Sequence, residues 1–124
     1  MAVKSYNDLE VYTEALSLAV ELDQRLLRFP DRERYRVVDQ LGRCSSGVGA
    51  HMAEGWGRKD SIADFKRFLR MSLGDIQETK YWLEFSTKVG HLEADEGRNW
   101  WKRYDELAAR TFRLIQNWED FSST

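Results

Sequence analysis

Apolar positions recur at three- and four-residue steps along four long stretches of the chain, the spacing of helices that bury one face. From about 8 to 29, Leu9, Tyr12, Leu16, Val20 and Leu27 form one apolar line, with Val11, Ala15, Leu18, Leu22 and Phe29 beside it. Glu10, Glu14, Ser17, Glu21, Gln24, Arg25 and Arg28 share the opposite arc. The apolar arc covers roughly 200°, wider than the ~100° stripe of a helix resting on one neighbour. This helix therefore either packs on two neighbours within its bundle or turns part of the arc toward another subunit. Asn7 or Asp8 is its expected N-cap.

The second stretch, about 32–57, has an unusual middle. Leu41 to Ala53 carries one formal charge, Arg43. Val37, Leu41, Cys44, Val48 and Met52 make an apolar stripe, and Gly42, Ser45, Ser46, Gly49 and Ala53 make a face of small residues. Glycine inside a helix costs about 1 kcal/mol against alanine, so Gly42, Gly47 and Gly49 are tolerable only where close packing compensates. This is the expected most-buried helix. The third stretch, about 61–89, opens with Ser61 three residues before Asp64, a capping spacing, and lines up Ile62, Phe65, Leu69, Ser72, Leu73, Ile76 and Leu83. The fourth, about 93–121, repeats Trp100, Tyr104, Leu107, Ala108, Thr111, Leu114, Ile115 and Trp118, with Glu93, Asp95 and Glu96 in its first turn. Pro30, Gly55–Gly57 and Gly90 mark the breaks. Four long helices with short connections predict an all-α, up-down-up-down antiparallel four-helix bundle filling one domain, 1–124.

Composition removes several classes. A single cysteine, Cys44, builds no disulfide framework, which points to a reducing cytoplasm. No apolar run approaches the ~20 residues of a membrane span, and the opening residues lack a signal-peptide pattern. The net charge of −2 gives no global drive toward nucleic acid. Positive charge is nevertheless concentrated locally. Arg58, Lys59, Lys66, Arg67 and Arg70 face only Asp60 and Asp64, and Arg25, Arg28, Arg32, Arg34 and Arg36 surround the first break. Repeated around an oligomer, the first group is a candidate nucleic-acid-binding surface.

Candidate catalytic chemistry is thin. Gly47-Val48-Gly49-Ala50-His51-Met52 begins like a dinucleotide fingerprint but lacks both the third glycine and a preceding strand. Cys44 has no activating base on its side of the helix, and Ser45-Ser46 has no hydrolase setting. A di-iron bundle needs Glu-x-x-His on two helices. Here His51 and Glu54 give the reverse order once, and His91 falls in a loop. No metal, cofactor or catalytic residue is expected. Gln40, Arg43, His51, Glu54 and Arg58 instead share a strip at three- to four-residue steps, and with Glu78 of the third helix they are expected to form a structural polar cluster.

Gln40-Leu41-Gly42-Arg43, Ala53-Glu54-Gly55-Trp56-Gly57-Arg58 and the block from Phe65 through Phe68-Leu69, Ser72-Leu73-Gly74-Asp75 to Glu78 resemble the 23S rRNA intervening-sequence protein family. Leu9-Glu10-Val11-Tyr12 with Ala15, and Val89-Gly90-His91-Leu92, extend the resemblance over roughly residues 6–118. Gly42 stands where the family usually carries a second arginine, and residues 47–52 replace its Ser-Ile-x-x-Asn-Ile. The resemblance implies a small bacterial four-helix bundle, not an enzyme, that assembles into homopentamers. The family's name records a coding location and not an activity. The expected function is therefore an oligomeric scaffold or interaction module with a protein partner, and the alternative is a nucleic-acid-binding accessory protein.

Overall fold

A computed structural model describes residues 9–118. Its helices are α1 (Glu10–Leu26), α2 (Val37–Trp56), α3 (Ile62–Lys88) and α4 (Ala94–Asn117), with a 3-10 turn at Asp31–Glu33 between α1 and α2. Each helix packs antiparallel to the next, and α4 returns to α1, closing the bundle. Four boundaries are to be set against the sequence reading. The expected caps Asn7 and Asp8 lie outside the described residues, and Leu9, with extended backbone, precedes the first turn of α1. The C-terminal end of α1 tightens into i→i−3 bonds, Arg28 N to Arg25 O and Phe29 N to Leu26 O at 3.1 Å each, before Pro30 stops it. The second helix begins at Val37 instead of 32, because Arg36 leaves the helical region at φ −125°, ψ −92°. Trp118 is extended and ends α4, and 119–121 of the expected fourth helix lie outside the described residues.

The buried residues of α3 explain how closely the helices approach. Phe65, Leu69, Ser72, Ile76, Thr79, Leu83 and Ser86 are all buried and alternate steps of four and three, a heptad seam. Large apolar side chains at 69, 76 and 83 alternate with small hydroxyls at 72, 79 and 86. Those hydroxyls let α2 come near: Ser72 donates to the carbonyl of Val48 at 2.8 Å, and the Thr79 hydroxyl lies 3.2 Å from the sulfur of Cys44. The expected burial of α2 is observed, with nine of its twenty residues inside. Gly55 and Gly97 sit at the tightest crossings. A Cβ on Gly55 would fall 2.7 Å from Phe68 Cβ, and one on Gly97 would fall 1.9 Å from Thr87 Oγ1.

Gly90 closes α3. Its φ of +90° places it in the left-handed region that favours glycine. Gly90 N then bonds Thr87 O at 3.2 Å and His91 N bonds Ser86 O at 2.8 Å, the paired bonds of a Schellman cap. At the other end, Ser61 caps α3 by accepting from Asp64 N at 3.1 Å, as its spacing predicts. Trp56, Phe65 and Trp118 meet ring to ring there, at centroid distances of 6.1, 4.7 and 6.1 Å.

Candidate functional site

The most buried ionic group is one the sequence did not single out. The Glu33 side chain, 1% exposed, accepts from Arg36 Nε at 2.8 Å and Nη2 at 2.6 Å, and from His91 Nε2 at 2.6 Å. The Arg36 guanidinium, with His91 second, holds its carboxyl down to about 2. Both oxygens are thus engaged, and the carboxylate has no freedom to act on a substrate. Alongside, Arg25 grips Glu96 at 2.7 and 3.2 Å and donates to the His91 carbonyl at 3.1 Å. The Schellman cap aims His91 at Glu33, so this network ties the α1–α2 connection to the α3–α4 turn. The i,i+3 spacing of Glu33 and Arg36 was its only local signal, and the contact with His91 spans 58 residues.

The expected polar cluster of Gln40, Arg43, His51, Glu54, Arg58 and Glu78 is not assembled. Arg43 pairs with Asp39 at 2.9 Å, and Glu54 stands 4.0 Å from Arg58, all four exposed. Gln40 is half-buried and Glu78 exposed. His51 alone of the six makes a polar side-chain contact with α3 among the described residues, its Nδ1 lying 2.5 Å from Asp75 Oδ2. Each arginine stands nearest the acid four residues before it in the chain, Arg43 within α2 and Arg58 from the turn just after it. Burial pushes the Asp75 carboxyl up despite His51. Gly47 leaves room for that carboxylate, since a Cβ there would sit 3.0 Å from Asp75 Oδ2.

The fingerprint-like residues 47–52 are in mid-α2, where their amides belong to the helix. Cys44 is 4% exposed, and burial raises its thiol to about 11, so at neutral pH it is a protonated packing group. Among the described residues, no three His, Cys, Asp or Glu side chains gather as a metal site. No helix among them is long and apolar enough to cross a membrane.

The candidate basic residues do share one end of the bundle, at the end of α2 and the start of α3. Arg58 and Arg67 lie 5.1 and 4.7 Å from the centre of the same ring, Phe68, and Lys59 lies 4.8 Å from Trp56. Arg67 also stands 3.7 Å from Asp64. Lys66 and Arg70 point elsewhere. They line a groove of about 320 Å3 between α3 and α4 with Leu73, Phe112, Ile115 and Gln116.

The wide apolar arc of α1 divides in two. Val11, Ala15, Leu18, Leu22 and Leu26 are buried, while Leu16, Val20 and Leu27 are 50%, 55% and 77% exposed. Beside Leu16 runs a groove of about 250 Å3 lined by Tyr12, Ala15, Ala19, Ser46, Gly49, Ala50 and Ala53, without a charged side chain. Fold and surfaces together define a small four-helix bundle with an apolar outer seam along α1 and α2.

Comparison with known proteins places that bundle. The model of the 23S rRNA-intervening sequence protein family matches residues 7–113, and the chain belongs to this family. The chain is also similar to a crystal structure described as a protein with unknown function from the S23 ribosomal protein family of Bacteroides thetaiotaomicron. The TM-score is 0.75 at 23% identity, over 86% of this chain and 99% of that one. At that identity the likeness supports the fold alone. A search of the curated proteins found no match.

Proposed function

We infer that this chain is a non-enzymatic interaction module that works as an assembly of its own copies in the cytoplasm. The observation that carries this reading is the outer seam of α1 and α2. Leu16 and Val20 stand exposed one turn apart, next to an uncharged groove floored by alanine and glycine. Exposed apolar area of this kind gains free energy when another surface removes it from water. Small residues on the floor admit a neighbouring helix closely. Five copies is the number that the family resemblance implies. Sedimentation equilibrium over a concentration series tests the reading: it expects a multiple of the 14.6 kDa chain mass, and a monomer at micromolar concentration contradicts it.

Nucleic-acid binding is the second reading. It draws on Arg58, Lys59, Lys66, Arg67 and Arg70 at one end of the bundle, where Lys66 and Arg70 make no ion pair among the described residues. A gel shift with single-stranded RNA at low salt, weakening steeply as salt rises, supports it. No shift at low salt removes it.

A further inference from the structure

The seam between α3 and α4 lies across the bundle from the α1/α2 face and shares no lining residue with its groove. Two grooves sit on this seam. The first, about 320 Å3, is flanked by Lys66 and Arg70 over an apolar floor that includes Leu73 and Ile115, with Phe112 52% exposed at its rim. The second, about 490 Å3, carries Trp101, 37% exposed. Phe112 and Trp101 are eleven residues apart on α4, three helical turns or ~16 Å along one line. That separation matches apolar anchors at i and i+11 of a helix laid along the seam.

Charge on the seam is uneven. In its middle, Lys80 pairs with Asp105 at 2.7 Å and lies 4.3 Å from the centre of Trp101. Around Trp101 the signs are mixed, with Glu84, Lys88 and Arg98. At the Phe112 end both charged groups are positive, no carboxylate lines the groove, and neither cation has an ion pair among the described residues. An occupant there brings its own negative charge to an apolar anchor.

We propose that the α3/α4 seam docks an acidic amphipathic helix of a partner protein. Its apolar side chains sit against Phe112 and Trp101, and its carboxylates meet Lys66 and Arg70. The proposal rests on the interaction-module reading only for its purpose, because its surface shares no residue with the α1/α2 seam. Two aromatic anchors three turns apart, with an ion pair between them, suit side chains of a helix better than a phosphate backbone, which asks for a track of cations.

The test uses the full chain and two labelled synthetic helices of about 18 residues. Both carry leucines at i, i+4, i+7 and i+11. One has glutamates on the remaining face and the other has lysines. Fluorescence anisotropy is expected to show the acidic helix binding at least ~10-fold tighter than its lysine twin. Phe112→Ser is expected to weaken it at least ~5-fold, with helical content retained and a small drop in melting temperature, because Phe112 is half exposed. The charge-reversed Lys66→Glu/Arg70→Glu protein is expected to prefer the lysine helix. Equal binding of the two helices, indifference to Phe112→Ser, or no switch of preference on charge reversal overturns the proposal. Binding of single-stranded RNA in place of the acidic helix, lost on the same charge reversal, also overturns it and assigns the cations to a polyanion. Leu16→Glu/Val20→Glu keeps helix binding while changing assembly mass, which separates failure of this proposal from failure of the assembly reading.

Discussion

The two stripes of α1 are made of the same kinds of residue and do different things. Leu18 and Leu22 are completely buried and belong to the core, while Leu16 and Val20 stand half exposed on the same helix. Nothing in residue type separates them, only the direction in which the bundle lies. The bundle needs one stripe to fold, which leaves the other available for contact. The arginines show the same contrast. Arg25 and Arg36 are spent on Glu96 and Glu33, whereas Lys66 and Arg70 remain unpaired among the described residues. A count of charges or of apolar positions along the sequence weighs these equally, and the fold does not.

That contrast is easiest to break with truncations on the inner stripe. Leu22→Ala is expected to cost about 2–5 kcal/mol, the loss of transfer free energy plus a cavity, measured by urea unfolding. A cost below about 1 kcal/mol would mean that the inner stripe is not core.

The buried ionic network gives a pH signature. The Glu33 carboxyl titrates near 2 when folded against 4.5 ordinarily, so the unfolded chain takes up the proton more readily. Its stabilising contribution is complete above 4.5 and is lost as pH falls from there toward 2. Melting temperature is expected to drop over that window in the wild type and to drop less steeply in Glu33→Gln, which starts lower at pH 7. Parallel curves for the two proteins would show that Glu33 is not the buried carboxylate that sets acid stability.

Gly97→Ala tests the α3–α4 crossing. The new methyl collides with Thr87, and overpacking of this kind costs about 1–3 kcal/mol, of which better helix propensity returns up to ~1. Pairing it with Thr87→Ser, which removes one of the crowding atoms, is expected to recover part of the loss. The smallest effect belongs to the outer stripe. Leu27→Ser is expected to change stability by less than about 0.5 kcal/mol, since Leu27 is 77% exposed.

Helix identity was legible because the 3.6-residue period ran unbroken through four long segments, and the family resemblance followed from blocks in α2 and α3. The inner face of α3 was only partly legible. Ser72 falls within the apolar block of the sequence, but Thr79 and Ser86 leave no such mark, because small hydroxyls do not register as apolar positions. The start of α2 was misplaced because Glu33 turns inward to meet His91, a contact that no local window contains. The polar strip of α2 failed for the opposite reason. Its spacing was regular, yet Arg43 found Asp39 and His51 found Asp75, so shared register did not become shared contact. Of the basic residues, sequence located the group but not its division into Arg58 and Arg67 on Phe68 and Lys66 and Arg70 at the α3/α4 groove.

The central claim is that the outer stripe of α1 holds copies of the chain together, and the solution mass of Leu16→Glu/Val20→Glu beside wild type tests it most directly. Light scattering is expected to find a multimer for the wild type and a monomer of 14.6 kDa order for the variant, with helical content retained by circular dichroism. Equal masses for the two folded proteins would contradict it.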